Sequence, residues 1–169
     1  MAMLQVLDEG EVVSISFDDL LKYHGRSSIA GVAHGFKVME RAFPLLCPGQ
    51  PPDRYSIEVE TAFPGPGARD AFEMVARVVT GGRYRVTVEL APAHVPDAPE
   101  GKFFFRLGYQ AKTVDLTLRP EHVNDEFTGL VRKGARTRVD DERLVALKQD
   151  IADRLMALPA EEVYDASRA

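Results

Sequence analysis

A helix that needs partners on two adjacent faces is the strongest constraint in this 169-residue sequence. Ser27 or Ser28 can cap a helix that runs to about residue 43. Gly31 and Gly35 are four residues apart, so they lie on one face and allow another backbone to approach closely. An apolar stripe lies beside them and predicts a buried helix. Its members are Ile29, Val32, Ala33, Phe36, Met39 and Phe43.

Helical patterns recur in four other places. Ser16 and Asp19 have the spacing of a capping box, which predicts a helix to about residue 23. Asp70 opens a predicted helix over 70–79, and Pro120 is at the first position of another. Asp140 or Asp141 is the predicted cap of the last helix, whose apolar stripe runs to just before Pro159.

Strand patterns lie between these helices. Alternating apolar residues predict strands at 54–62 and 82–92. Residues 103–118 are typical of a hairpin that turns at Gly108. The order of elements predicts an α+β fold with a mixed or largely antiparallel sheet packed against helices. We expect a single domain over 1–169, with a core at about 16–120 and a helical C-terminal segment at about 121–165.

Composition limits the possible partners and compartments. The net charge is −5 at pH 7, so we expect neither nucleic acid nor an anionic membrane surface as a partner. The single cysteine, Cys47, excludes an intrachain disulfide and agrees with a cytoplasmic protein. The first 17 residues lack the basic start of a secretory signal, and no apolar run reaches the roughly 20 residues of a membrane helix.

Local patterns allow three kinds of site, each with a simpler alternative. The glycines of FPGPGARD could hold a phosphate before a helix, but the segment lacks the known fingerprints and an ordinary connection is favoured. Glu58, Glu60 and Asp70 could form a carboxylate cluster, but the favoured alternative is that the glutamates face solvent or pair with Arg83 and Arg85 on a neighbouring strand. The four histidines show no metal-ligand spacing, so isolated histidines are favoured.

Four segments, in this order, resemble the FmdE-like family, which is named after a component of formylmethanofuran dehydrogenase. They are YHGRSSIAGVAHGFKVMERAF, SIEVETAFPGPGARDAFEMV, VTGGRYRV and KFFFRLGYQAKTVDLTLRPEH. The resemblance spans about residues 16–165 and depends on the order of the segments rather than on one motif. It implies a metal-binding or active centre, built from His and Cys residues, between a helix start and the loop after a strand.

This chain departs from the family pattern at that centre. His24 and Gly25 are kept, but Arg26 replaces the second histidine, and Ser27 and Ser28 occupy the cysteine region. The second cysteine region of the family corresponds here to FPGPG, which contains no cysteine. A serine hydroxyl cannot replace a thiolate as a metal ligand at neutral pH. The resemblance therefore implies a degenerate centre, or one repurposed for a small anionic ligand.

Two functions remain open at this point. The first is a binding or accessory protein with a ligand site near His24, Arg26, Ser27, Ser28, Glu60 and Asp70. The second is a metal-dependent enzyme or oxidoreductase-associated protein, in which His24, His34, Glu60 or Asp70 binds a cation or handles a proton. In this alternative His24 is the expected ligand of zinc or another transition metal. The resemblance also implies a homodimer, which agrees with the tight helix contact predicted by Gly31 and Gly35.

Overall fold

The structure of the protein is a computed structural model that describes residues 1–168. Within these residues the chain forms five α-helices and seven strands. In chain order they are β1 (Met3–Asp8), β2 (Glu11–Ser16), α1 (Phe17–His24), α2 (Ile29–Leu46), β3 (Ile57–Thr61), α3 (Pro66–Ala76), β4 (Tyr84–Val86), β5 (Phe104–Tyr109), β6 (Lys112–Leu118), α4 (Asp125–Arg132), α5 (Arg138–Ala157) and β7 (Tyr164–Arg168).

The fold is α+β, as the order of patterns predicts. A five-stranded mixed sheet has the order β4-β3-β5-β6-β7, in which only β3 and β4 pair in parallel. One sheet face packs on the helices through residues such as Phe105 and Leu107. The opposite face carries the ion pair between Arg106 and Asp115, and Phe104 packs there in a small separate cluster. The first two strands form an antiparallel hairpin of their own.

The central helix α2 is buried along the predicted stripe, all six members of which are at most 6% exposed. It also packs closely against α3. A Cβ atom on Gly35 would lie 2.8 Å from the Cβ of Ala71, and one on Gly67 would lie 2.5 Å from the carbonyl oxygen of Ser28. The predicted close approach at the glycine face is confirmed. Its partner is a helix of the same chain.

Helix α3 begins four residues earlier than predicted. Gly65 is its N-cap and Pro66 its first residue, because the proline ring presets a helical φ where no N–H donor is needed. Asp70 therefore lies inside the helix rather than at its start. The helix ends at Ala76, because Arg77 takes a left-handed conformation with φ 54°.

The strand predicted over 82–92 is much shorter in the structure, where it spans only Tyr84–Val86. Strand β4 holds three residues at the sheet edge, and after Thr87 the chain turns in a short 3-10 helix at Val88–Leu90. The hairpin of β5 and β6 turns at Gln110 and Ala111 rather than at Gly108, and Gln110 takes a φ of 55°. Gly108 lies within β5 instead.

Helix ends differ from prediction in three other places. Thr137 caps α5 and forms a capping box with Asp140, which is thus the third helical residue rather than the cap. Pro120 opens only a short 3-10 helix, and α4 begins later, after the cap residue Asn124. Helix α2 continues past Pro44 to Leu46.

The two chain ends form strands that the patterns did not predict. The hairpin β1–β2 precedes the expected core, and β7 ends the C-terminal segment by pairing with β6. The segment is therefore not wholly helical. Among the described residues, no helix combines the length and apolar character needed to cross a membrane.

Candidate functional site

The structure brings together two of the residues predicted for the site. The Nδ1 atom of His24, at the end of α1, lies 2.7 Å from Oδ2 of Asp70 on α3. The His24 side chain is only 7% exposed. Its Nε2 atom is buried and has no hydrogen-bond partner within residues 1–168. The other oxygen of Asp70 accepts a hydrogen bond from Nε of Arg69.

The other predicted residues lie in separate surroundings. Arg26 is exposed and donates a hydrogen bond to Gln149 on α5 at 3.2 Å. Ser27 is also exposed, and its carbonyl oxygen accepts from Lys148. Glu60 pairs with Arg85 across β3 and β4 at 3.4 Å, which is the cross-strand arrangement favoured by the sequence.

Ser28 is the predicted residue that lines a cavity, whose volume is about 260 Å³. The cavity lies where α2 begins, beside the loop before α3, and α4 and α5 close it on other sides. Most of its wall is apolar. The side chains that form this apolar wall include Phe63, Pro66, Phe103, Phe127, Val131 and Ile151.

Two helices start at this cavity without side-chain caps. Neither Ser28, before α2, nor Gly65, before α3, provides a side-chain hydrogen bond to its helix. The first turns of both helices also lack acidic residues. The first backbone N–H groups of a helix have no partner within that helix, so the starts of α2 and α3 carry hydrogen-bond donors.

Part of the His34 side chain lines the cavity, and the remainder is packed in the core. It is 4% exposed, and its ring lies over Phe103 with 4.8 Å between the ring centroids. Its Nδ1 atom lies 2.8 Å from the hydroxyl oxygen of Tyr164 on β7. Burial, with a smaller effect from His122, lowers the pKa of His34 to about 3. His34 is therefore neutral at physiological pH.

His122 lines the same cavity from the segment between β6 and α4. Its Nε2 atom lies 2.7 Å from the carbonyl oxygen of Glu162, to which it donates a hydrogen bond. Its Nδ1 atom is buried and lacks a hydrogen-bond partner in the described part of the chain. Unpaired buried polar atoms are uncommon in proteins.

The ligand site predicted from the sequence did not include His34, His122 or the aromatic wall, and His34 was named only in the metal-dependent alternative. His34 had a usable signal, because Ala30 and Val38 flank it at helical spacing and place it on a buried face. His122 had none, since the contact to Glu162 joins residues 40 apart in the sequence.

The residues present do not fit a metal centre. Among residues 1–168, no group of three or more His, Cys, Asp or Glu side chains is placed to hold one ion. Cys47 is buried at the opposite end of α2 from His24 and Ser28. His24 and Asp70 contact each other, but a transition-metal site needs three or four protein ligands.

No protein-family model matches this chain, and no curated protein matches it either. The site therefore has to be interpreted from its own geometry.

Proposed function

We propose that this protein binds a small molecule in the cavity, as a binding or accessory protein of the FmdE type whose metal centre is degenerate. The observation that carries the proposal is the cavity itself. It has an apolar wall, and the buried histidine His34 is part of that wall. Pockets with apolar walls and a few convergent polar groups are typical of ligand sites.

The sequence resemblance supports the same location. It implies a centre between the start of the second helix and the loop after a strand, and Ser28 and residues 63–67 line the cavity from those two segments. The ligand would then occupy the region in which the family carries its metal or active centre. Arg26, on which the anionic-ligand hypothesis depended, is exposed and does not line the cavity.

The cavity volume limits the ligand to a compact molecule. Small-molecule pockets usually have volumes of roughly 300–1,000 Å³. At about 260 Å³, this cavity is just below that range. A single aromatic ring with one polar substituent is therefore a suitable probe.

The test measures the binding of monocyclic aromatic amides, ketones and acids, and methyl NMR of the protein detects it. Ile151 lines the cavity, so the resonances of its methyl groups report ligand binding. Ile57 is buried in β3 away from the cavity, so its methyl groups serve as the control. We expect Val131→Phe to fill the cavity and weaken binding at least about tenfold. Val145→Phe is the matched control, because Val145 lies on α5 outside the cavity and is 68% exposed. Equal binding by both variants would contradict the proposal.

One observation favours the metal-dependent alternative. In metal sites, a ligating histidine often binds a carboxylate through its second nitrogen, as His24 binds Asp70. His24 Nε2 is buried and unpartnered within the described chain. The described residues around it nevertheless do not complete a ligand set.

Metal analysis of protein purified without a polyhistidine tag separates the two functions. For a degenerate centre we expect no stoichiometric zinc, iron or nickel. Stoichiometric metal that is lost in His24→Ala, but kept in His94→Ala, would overturn the degenerate-centre proposal. His94 is the control because it is exposed.

A further inference from the structure

The tautomer of His34 follows from its hydrogen bond to Tyr164. The Tyr164 hydroxyl is fully buried, burial raises its pKa well above the ordinary value, and its partner among the described residues is Nδ1 of His34. If Nδ1 donated the proton, the buried hydroxyl hydrogen would have no acceptor, so the hydroxyl donates and Nδ1 accepts. Burial also lowers the pKa of His34 to about 3. The neutral ring therefore carries its one proton on Nε2.

Solvent reaches the Nε2 atom of His34. Within residues 1–168 the ring forms its hydrogen bond through Nδ1, and Nε2 has no partner. Two other unpartnered ring nitrogens, Nε2 of His24 and Nδ1 of His122, are closed to solvent, but Nε2 of His34 is not among the closed atoms. His34 lines this cavity and none of three other clefts of the described chain. The N–H group at Nε2 therefore opens into the cavity.

This N–H group lies among aromatic rings. The ring centroids of Phe103 and Phe63 are 4.8 and 6.1 Å from that of His34, and the two phenylalanine rings stack on each other. In apolar surroundings a hydrogen bond is stronger than in water, and a donor that a bound ligand leaves unpaired is costly. The wall around His34 therefore favours a ligand that accepts a hydrogen bond at this point.

The charged side chains of the cavity wall provide no partner for an anion beside His34. Apart from the histidines, the wall includes the charged residues Glu100 and Lys148. Glu100 is exposed, and Lys148 donates a hydrogen bond to the carbonyl oxygen of the exposed residue Ser27. A carboxylate beside the neutral ring of His34 would be a buried charge without a cation. An uncharged acceptor matches the N–H group better.

We propose that the ligand of this cavity is an uncharged compact molecule whose carbonyl oxygen accepts a hydrogen bond from Nε2 of His34, as in a ketone. The remainder of the ligand is apolar and packs on the aromatic and aliphatic wall. The inference rests on the proposed function, that is, on the cavity being the ligand site.

Acetophenone and α-methylstyrene test the role of the carbonyl group. They have nearly the same shape, but a methylene group replaces the carbonyl oxygen in α-methylstyrene. The shift of the Ile151 methyl resonances gives both dissociation constants, and their ratio is compared between the wild-type protein and His34→Phe, which lacks the donor. We expect the variant to weaken acetophenone binding about fivefold more than α-methylstyrene binding, because only the ketone loses a hydrogen bond.

His94→Phe is the control for this comparison, because His94 is exposed and outside the cavity. It should keep the wild-type ratio of dissociation constants. The same ratio in His34→Phe as in the wild-type protein would overturn the inference.

Two measurements on the wild-type protein keep the test decisive if His34→Phe does not fold. ¹⁵N NMR should show His34 protonated at Nε2. The infrared stretching frequency of the ¹³C-labelled carbonyl group of bound acetophenone should be lower than in hexane, because a hydrogen bond weakens the C=O bond. A proton on Nδ1, or a carbonyl frequency equal to that in hexane, would contradict the proposed contact.

Benzoate distinguishes an uncharged ligand from an anionic one. We expect benzoate to bind more weakly than acetophenone. Tighter binding of benzoate would overturn the ligand class while leaving the cavity as a ligand site. Absence of any effect of the three probes at Ile151 would overturn the proposed function itself.

Discussion

At the scale of the residue, His24 and His34 are only ten positions apart in the sequence, yet their side chains lie in two unrelated environments. Gly25, with φ 87°, ends α1 directly after His24, so His24 lies against Asp70. His34 is on the next helix and packs between Phe103 and Tyr164. The two histidines do not belong to one ligand set, because the chain changes direction between their helices.

The buried His34 makes the stability of the protein depend on pH. Its pKa is about 3 in the folded protein and about 6.5 in an unfolded chain. Between these values the unfolded chain binds the additional proton, so stability falls as the pH falls from about 6.5 toward 3. We expect this residue alone to remove about 3 kcal/mol of unfolding free energy between pH 7 and pH 4.

Urea unfolding at both pH values measures the effect. His34→Gln should lose less stability on acidification than the wild-type protein does, even if it is less stable at pH 7. His94→Gln, at an exposed site, should keep the wild-type pH dependence. The same loss on acidification in all three proteins would show that His34 does not carry the effect.

At the scale of the element, the crossing of α2 and α3 positions the cavity. Gly31 and Gly35 on α2 face Gly67, Ala68 and Ala71 on α3, so the two helices approach with few side-chain atoms between them. This brings the starts of both helices to one end of the cavity. The same glycine face is covered within the chain, so it provides no surface for a second copy.

The crossing predicts opposite effects for two glycine-to-alanine substitutions. Gly67→Ala should lower the free energy of unfolding by about 1–3 kcal/mol, because its Cβ would lie 2.5 Å from a backbone oxygen and 2.8 Å from a backbone nitrogen. Gly129→Ala should raise it by about 0.5–1 kcal/mol, because Gly129 is inside α4 with open space around it. Chemical denaturation measures both, and similar values for the two variants would contradict the packing described.

At the scale of the whole molecule, the cavity joins segments that are far apart in sequence. Ser28 lies just before α2 and His34 within its second turn. Phe103 lies just before β5, His122 before α4, and Ile151 in α5. The basic end of α4 contributes to this assembly. Its residue Arg132 donates hydrogen bonds to the carbonyl oxygens of residues 98 and 99, beside the cavity.

The homodimer implied by the family resemblance stays a prediction. We expect the protein to sediment with twice the 18.7 kDa mass of one chain at micromolar concentration. Since α3 covers the glycine face, the contact would have to use another surface. A mass of one chain over the whole concentration range would contradict the dimer. Gly67→Ala should not change the measured mass, because Gly67 packs against α2 of the same chain.

Features that depend on neighbouring residues could be predicted from the sequence. The stripe of α2, the capping box of α1 and the alternation of β3 and of the β5–β6 hairpin all follow from local periodicity and caps. Together they were sufficient for the α+β class. The close approach at Gly31 and Gly35 was also predictable, because a missing side chain shows where a backbone can come near.

The choice of side chains that form the site depends instead on tertiary packing. The pairs His24–Asp70, His34–Tyr164 and His122–Glu162 join residues 46, 130 and 40 positions apart, and no local pattern encodes such contacts. Strand β7 could not be predicted either, because it exists through its pairing with β6. Long-range packing, rather than sequence spacing, places the side chains of His34 and His122 in the wall of one largely apolar cavity, and that cavity is the basis of the proposed function.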